Sequence, residues 1–334
     1  MLILRRARKR AVPTQNALPD ALVRRFADDV DRLIGANATG RIGVAVSGGP
    51  DSLALLLLAN AAFAGWVEAA TVDHRLRVGS AAEASFVADI CAARGIAHAI
   101  LTVDSLPDGN VPAAARVARY AALATWADAR AIDWIMTGHH ADDQRETMIM
   151  RLNRGAGVAG LAGVRARQGR IMRPLLHWRH EELAMIVVNA GIVAIDDPTN
   201  HDDSYDRARL RKILHDTDWL DPQAMSRSAD ALSEADGALD WSADRLEAAH
   251  VTQDGNGVMF AHGSEAIPAE LVRRLVLRCL RRIDSACEPR GIALGRLIAT
   301  LEGGGTATLG TVIACGGDEW RFSPAPPRRP TGSQ

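Results

Sequence analysis

Residues 42–58 read Ile42-Gly43-Val44-Ala45-Val46-Ser47-Gly48-Gly49-Pro50-Asp51-Ser52-Leu53-Ala54-Leu55-Leu56-Leu57-Leu58, and this run decides the fold. A β-prone stretch leads straight into a glycine pair flanked by serines, and an apolar helix-forming run follows. Strand, glycine turn and helix in that order make a phosphate cradle. The glycines let backbone amides close on an anion, and the helix start adds unsatisfied amides and the positive end of its dipole. Ser47 and Ser52 can donate hydroxyl hydrogen bonds to the same oxygens. A carboxylate at Asp51 repels a polyphosphate unless a cation lies between them, which points to magnesium. No Gly-Lys-Ser/Thr follows, so this is not a Walker loop.

Outward from this loop, β-rich runs alternate with helix-like stretches. The expected strands are Ile42–Val46, Ala69–Asp73, His98–Val103 and Asp133–Thr137; Leu53–Ala64, Ala81–Arg94 and Pro112–Arg130 are each long enough for a helix. Such alternation predicts the α/β class, a parallel sheet with helices on both faces. Ligands of such sheets bind beyond the carboxyl ends of the strands, where strand order reverses.

The residues after each expected strand are polar. The second strand ends in Asp73-His74-Arg75-Leu76-Arg77, which suits a nucleotide contact or is simply a charged loop. Arg116, Arg119 and Tyr120 share one face of the following helix, where two guanidiniums could bind phosphate or carboxylate. After the fourth strand comes Gly138-His139-His140-Ala141-Asp142-Asp143-Gln144-Arg145-Glu146-Thr147. Asp142 is placed as a helix N-cap, with Asp143 and Glu146 on one face, able to hold a metal or grip an ammonium group. A metallohydrolase site built from His139, His140, Asp142 and Asp73 is the alternative; a hydrolase would not need the phosphate loop. Farther on, Arg207 and Arg211 share a helical face and Arg209 points away.

The chain has 334 residues, 48% hydrophobic and 24% charged, enough for two domains. Its formal net charge of −1 makes no global case for a polyanionic partner, so nucleic-acid binding needs a local patch. The four cysteines, Cys91, Cys279, Cys287 and Cys315, show no Cys-x-x-Cys spacing and suit a reducing compartment. No apolar run approaches a membrane span, and a cytoplasmic protein is expected. We divide the chain into an N-terminal extension, partly disordered, at 1–40; a catalytic domain at 41–216; a smaller, mainly helical domain with a terminal β element at 217–323; and a disordered tail at 324–334.

The loop resembles the signature Ser-Gly-Gly-x-Asp-Ser of the PP-loop ATP pyrophosphatases, the adenine nucleotide alpha hydrolase-like class, which cleave ATP between the α and β phosphates. Taken in order, the whole set resembles the tRNA(Ile)-lysidine synthetase family. The matching pieces are the loop at 47–52, Asp-His-x-Leu-Arg at 73–77, Ala-Arg-x-x-Arg-Tyr at 115–120 and Gly-His-His-x-x-Asp-x-x-x-Thr at 138–147. Arg-Gly-x-Gly-x-x-Gly-Leu at 154–161, Arg-Pro-Leu-Leu at 173–176 and Asp-Pro-Thr-Asn at 197–200 continue it. One departure is Ala208, where the family usually has Asn beside the first arginine of its Arg-Asn-x-x-Arg motif.

The resemblance implies ATP and Mg2+ as cofactors, L-lysine and a CAU-anticodon isoleucine tRNA as partners, and no membrane; a second copy of the chain, as a homodimer, is a further candidate partner. Ser47, Gly48, Gly49, Pro50, Asp51, Ser52, Asp73, His74, Gly138 and His139 would hold ATP, with Asp51 on the metal. Asp51, Asp143 and Glu146 are the catalytic candidates. Arg116, Arg119, Asp143, Glu146, Arg207 and Arg211 would contact lysine or tRNA. In the C-terminal part, Arg273, Arg274, Arg278, Arg281 and Arg282 surround the apolar stripe of Leu271–Arg282, as a solvated basic face or a docking surface for the tRNA backbone. A tRNA thiolase, an ATP-dependent amidotransferase and a nucleotide-binding module without turnover are the competing readings.

Overall fold

The computed structural model describes residues 18–35, 40–75, 79–103, 111–196, 206–215, 217, 219–261, 266–289 and 291–326. Contacts divide the chain into two compact units, Met1–Ser233 and Glu234–Gln334.

In the first unit the elements are α1 (Asp20–Ile34), β1 (Arg41–Ala45), α2 (Pro50–Ala62), β2 (Val67–Asp73), α3 (Ser80–Ala92), β3 (Ala97–Thr102), α4 (Val111–Ala129), β4 (Ile132–Met136) and α5 (Ala141–Asn153). After these come α6 (Val158–Leu161), β5 (Arg167–Gln168), β6 (Ile171–Met172), α7 (His180–Asn189) and α8 (Asp206–His215). The strands form one sheet in the order β3-β2-β1-β4-β6-β5, parallel except for the short antiparallel hairpin of β5 with β6. Val44 pairs with Ala69 of β2 on one side and Met136 of β4 on the other.

Alternation along the strands feeds two apolar clusters. Ile42, Val44 and Ala69 join α1, α2, α3 and α7 in one; Ala70, Ile132 and Ile135 join Leu123, Trp126 and Ala127 of α4 in the other. Two-sided burial explains why α2 reads as continuous apolar sequence, with Leu53, Leu55, Leu56 and Leu58 all fully buried.

Two expectations change here. Part of the expected N-terminal extension is the amphipathic helix α1, whose Phe26, Ala27 and Val30 are buried in the core with α2; residues 1–17 lie outside the described residues. The expected boundary at 217 precedes a long helix, α9 (Pro222–His250), whereas the two compact units divide inside it. The beginning of α9 packs on the first unit, where Ser226 Oγ donates to the carbonyl of Leu176 at 2.7 Å and Ser233 Oγ accepts from Arg165 at 2.7 Å.

The second unit adds β7 (Val251–Asp254), β8 (Gly257–Phe260), α10 (Ala269–Ile283), α11 (Gly291–Glu302), β9 (Thr306–Leu309), β10 (Val312–Cys315) and β11 (Trp320–Pro324). Its five strands form an antiparallel sheet, β7-β8-β11-β10-β9, larger than the short terminal β element expected. The β7–β8 hairpin turns on Asp254-Gly255-Asn256-Gly257, with Gly255 at φ +58°. The arginines of α10 do not form a free basic face. Arg274 pairs with Asp236, Asp240 and Glu270, Arg278 with Asp244 and Glu247, Arg282 with Glu247, Arg281 with Glu288 and Arg273 with Glu270. The tail beyond Pro326 lies outside the described residues.

Candidate functional site

Strand order reverses at β1. The chain runs outward through β2 and β3, then returns to place β4 on the other flank of β1. The crevice at this switch point holds the loop after β1 and the segment after β4.

The loop is rigidly made. Ser52 Oγ accepts from the Ser47 amide at 3.1 Å, lies 3.2 Å from Ser47 Oγ and donates to the Gly49 carbonyl at 2.9 Å. Gly49 caps α2 and Pro50 fills its first position, where a missing N–H costs nothing. Gly48 sits at φ +90°, its carbonyl accepts from Ile195 N–H at 2.9 Å, and a Cβ there would overlap the Ile195 side chain. A Cβ on Gly138 would press on the backbone of Asp51 and Ser52 at about 3.1 Å, so glycine lets the β4 segment lie against the loop.

Between them opens a cavity of about 620 Å³, large enough for a nucleotide-sized ligand. Ser47, Gly49, Asp51 and Ser52 line one wall; Thr137, Gly138, His139 and Asp143 line another; His74, Arg116, Arg119 and Arg207 complete it. His74 Nδ1 is buried there and has no hydrogen-bond partner among the described residues, a polar atom of the kind a bound ligand satisfies. Burial holds His139 well below the ordinary histidine range, and its Nδ1 lies 3.0 Å from Thr137 Oγ1. It is neutral at physiological pH.

Some expected residues stand elsewhere. Asp73 does not line the cavity; its Oδ1 accepts the Arg75 amide at 2.9 Å, fixing the turn in which Arg75 has φ +51°. The N-cap of α5 is His140 rather than Asp142, because β4 leads out in extended backbone through His140. Asp142, the second residue of the helix, instead accepts the His180 amide at 2.9 Å and Arg145 at 3.1 Å. Glu146 is buried off the cavity, bonded to Arg207 at 2.6 Å and Arg211 at 2.8 Å. Arg207 also reaches Asp143 at 2.9 Å. Arg209 turns away to Asp206, as its spacing implied. Ala208 is buried on the inner face of α8, where an amide would need a partner. Leu76-Arg77 and Asp197–Asn200 lie outside the described residues.

The residue sequence reasoning missed is His180. The first residue of α7, it meets Asp51 with Nδ1 to Oδ1 at 2.8 Å. His140 Nε2 lies 3.5 Å from the other Asp51 oxygen and 3.4 Å from Asp143. Burial alone would raise the Asp51 pKa, but these two imidazoles outweigh it and hold the carboxyl far below its usual range. The Asp51 contact raises the pKa of His180 in turn. Arg179-His180-Glu181-Glu182 reads in sequence only as a helix start; nothing in it points 129 residues back to the loop.

Glycine loop, switch point and cavity define a PP-loop protein, and the family model of the PP-loop domain matches residues 22–217. The tRNA(Ile)-lysidine synthase of Novosphingobium aromaticivorans is 46% identical over 303 residues, 87% of this chain and 91% of the relative. That of Zymomonas mobilis subsp. mobilis is 40% identical over 316 residues, covering 92% and 95%. The chain belongs to the tRNA(Ile)-lysidine synthase family. Among solved structures, a U34-tRNA thiolase from Methanococcus maripaludis with its [4Fe-4S] cluster aligns at TM-score 0.53 and 16% identity, over 68% of this chain and 86% of that one, a likeness of fold.

Proposed function

We infer that this enzyme ligates L-lysine to carbon 2 of the wobble cytidine in a CAU-anticodon isoleucine tRNA, consuming ATP and releasing AMP and pyrophosphate. Family membership supplies the reaction. The observation that carries it to this chain is the single cavity shared by the phosphate loop, His74 and Asp143. Adenylation of the cytidine carbonyl oxygen makes it a good leaving group, and the amine of lysine then displaces AMP.

Backbone amides of the loop and the start of α2 face the ATP phosphates, with the exposed Ser47 hydroxyl beside them. His74 Nδ1 is placed to bond the nucleotide, and Arg116 and Arg119 meet phosphate at the cavity wall. Asp143, which lines the cavity, is assigned to the ammonium or amine of lysine; Glu146 anchors Arg207 and Arg211 instead of touching substrate. Magnesium takes an oxygen shell made mostly of waters and substrate phosphates with one or two carboxylates, and Asp51 would supply the carboxylate oxygen in place of its contacts with His180 and His140. An ion held there would offset the negative charge of the ATP phosphates. Contact of the second unit with tRNA, through surfaces other than the paired arginines of α10, and a cytoplasmic location belong to the same proposal. Among the described residues no helix is long and apolar enough to cross a membrane.

The test is pyrophosphate release from ATP with unfractionated tRNA, with and without each amino acid, followed by nucleoside analysis of the tRNA. Release that requires lysine and yields a lysine-bearing cytidine is the expected result. Turnover indifferent to lysine, or driven by another amino acid, overturns the assignment. Asp51→Ala should abolish release in a folded protein; near-normal turnover would remove the loop from the chemistry.

A further inference from the structure

We propose that Asp51, His140 and His180 form a binding site for a divalent ion of the zinc class at the edge of the phosphate loop. Three helix starts converge there: Asp51 is at the beginning of α2, His140 caps α5 and His180 opens α7. One oxygen of Asp51, one nitrogen of His140 and one of His180 all lie within 4.8 Å of one another. Zinc–nitrogen and zinc–oxygen bonds of about 2.0–2.2 Å at a tetrahedral angle separate neighbouring ligand atoms by roughly 3.3 Å. The 3.5 Å between His140 Nε2 and Asp51 Oδ2 already matches that spacing; His180 Nδ1 lies 2.8 Å from the other oxygen, Oδ1, a contact that needs to open by about half an ångström for the carboxylate to face both rings through an ion.

The surroundings are those of a ligand set. His140 presents Nε2 to Asp51 while its Nδ1 is buried 3.5 Å from the Asp142 carboxylate, near enough for that carboxylate to orient the ring once a small shift closes the hydrogen bond. The same Asp142 holds the His180 backbone amide at 2.9 Å and so sets where that ring stands. Asp143 Oδ2, 3.4 Å from His140 Nε2, is within reach as a fourth oxygen. Two imidazoles and a carboxylate select zinc, cobalt or nickel over magnesium or calcium. An ion seated there takes the Asp51 carboxylate, so occupancy opposes any use of that carboxylate at the loop.

The test uses the full chain, freed of metal with a chelator and without ATP or tRNA, so its failure leaves the ligase reading untouched. Co2+ is titrated in and its visible ligand-field absorption recorded; Zn2+ affinity is then measured against a chromophoric chelator. One equivalent of Co2+ should produce the bands and one equivalent of Zn2+ should erase them. His180→Ala, at a half-exposed position, should weaken Zn2+ binding about a hundredfold, and His140→Asn should act likewise. His177→Ala, which removes a histidine paired with Asp230 elsewhere, should change nothing. Absence of the bands, or equal Zn2+ affinity in wild type and a folded His180→Ala, overturns the proposal.

Discussion

Arg207 Nε stands 2.6 Å from Oε2 of Glu146, and this contact brings α8 onto α5 so that the other end of the same guanidinium meets Asp143 at the cavity. The two carboxylates, three residues apart on one helical face, therefore have different tasks. Asp143→Asn should raise the lysine requirement about tenfold or more over that for ATP, since a charge-assisted contact contributes roughly 1.5–3 kcal/mol. Steady-state kinetics varying each substrate would show this, and equal losses for both would refute the lysine role.

Removing Glu146 should loosen α8 instead. Its side chain is buried while Arg207 and Arg211 are nearly half exposed, so the full cost of breaking a buried pair does not apply. Glu146→Ala should cost about 1–2 kcal/mol and accelerate amide exchange in α8. Unchanged exchange there would contradict the anchoring role.

Gly48→Ala should strain the loop twice, through its positive φ and through overlap with Ile195. The backbone part alone costs on the order of 1–3 kcal/mol. Adding Ile195→Ala should relieve the overlap but leave the φ cost, so the double variant should recover only part of the ATP affinity. Full recovery, read by ATP titration, would show that crowding alone requires glycine.

In the second unit, Arg274→Ala should destabilise the fold by about 2–4 kcal/mol, because both Arg274 and Asp236 are nine-tenths buried. Denaturant unfolding reads the loss. In a folded sample the salt slope of tRNA binding should match wild type, since arginines held in internal pairs release no counterions from phosphate. A flattened slope would restore the face to RNA binding.

Asp29, buried beside Trp178, accepts the indole N–H at 2.8 Å. Burial, the largest influence, raises its pKa above the ordinary 3.8, while that hydrogen bond and Arg32 oppose it. A raised carboxyl binds its proton more tightly folded than unfolded, so the stability it gives is present below pH 3.8 and is lost as pH rises through the folded value. The stability of Asp29→Asn relative to wild type should therefore climb with pH above 3.8 and then level off. Paired unfolding curves across that range check it; a flat or falling difference would mean the carboxylate is stabilised in the fold.

The sequence by itself determined the loop and the strands and helices around it. Ser47–Ser52 between a β-prone run and an apolar run admits few other structures, and periodicity located β1 to β4 and their helices to within a few residues. These are local matters: glycine geometry, helix caps and side-chain alternation act over a few neighbouring residues. It also put Arg207 and Arg211 on one face, because helical spacing is local too. Tertiary structure decided which polar groups meet. His180 reaches Asp51 across 129 residues, Asp73 turns to an amide two residues on, and the arginines of α10 close on the acids of α9. A charged side chain reads the same in sequence whether it faces solvent, substrate or an opposite charge. Only the packing of one helix against another fixes its partner, because electrostatic pairing acts through space and is indifferent to distance along the chain.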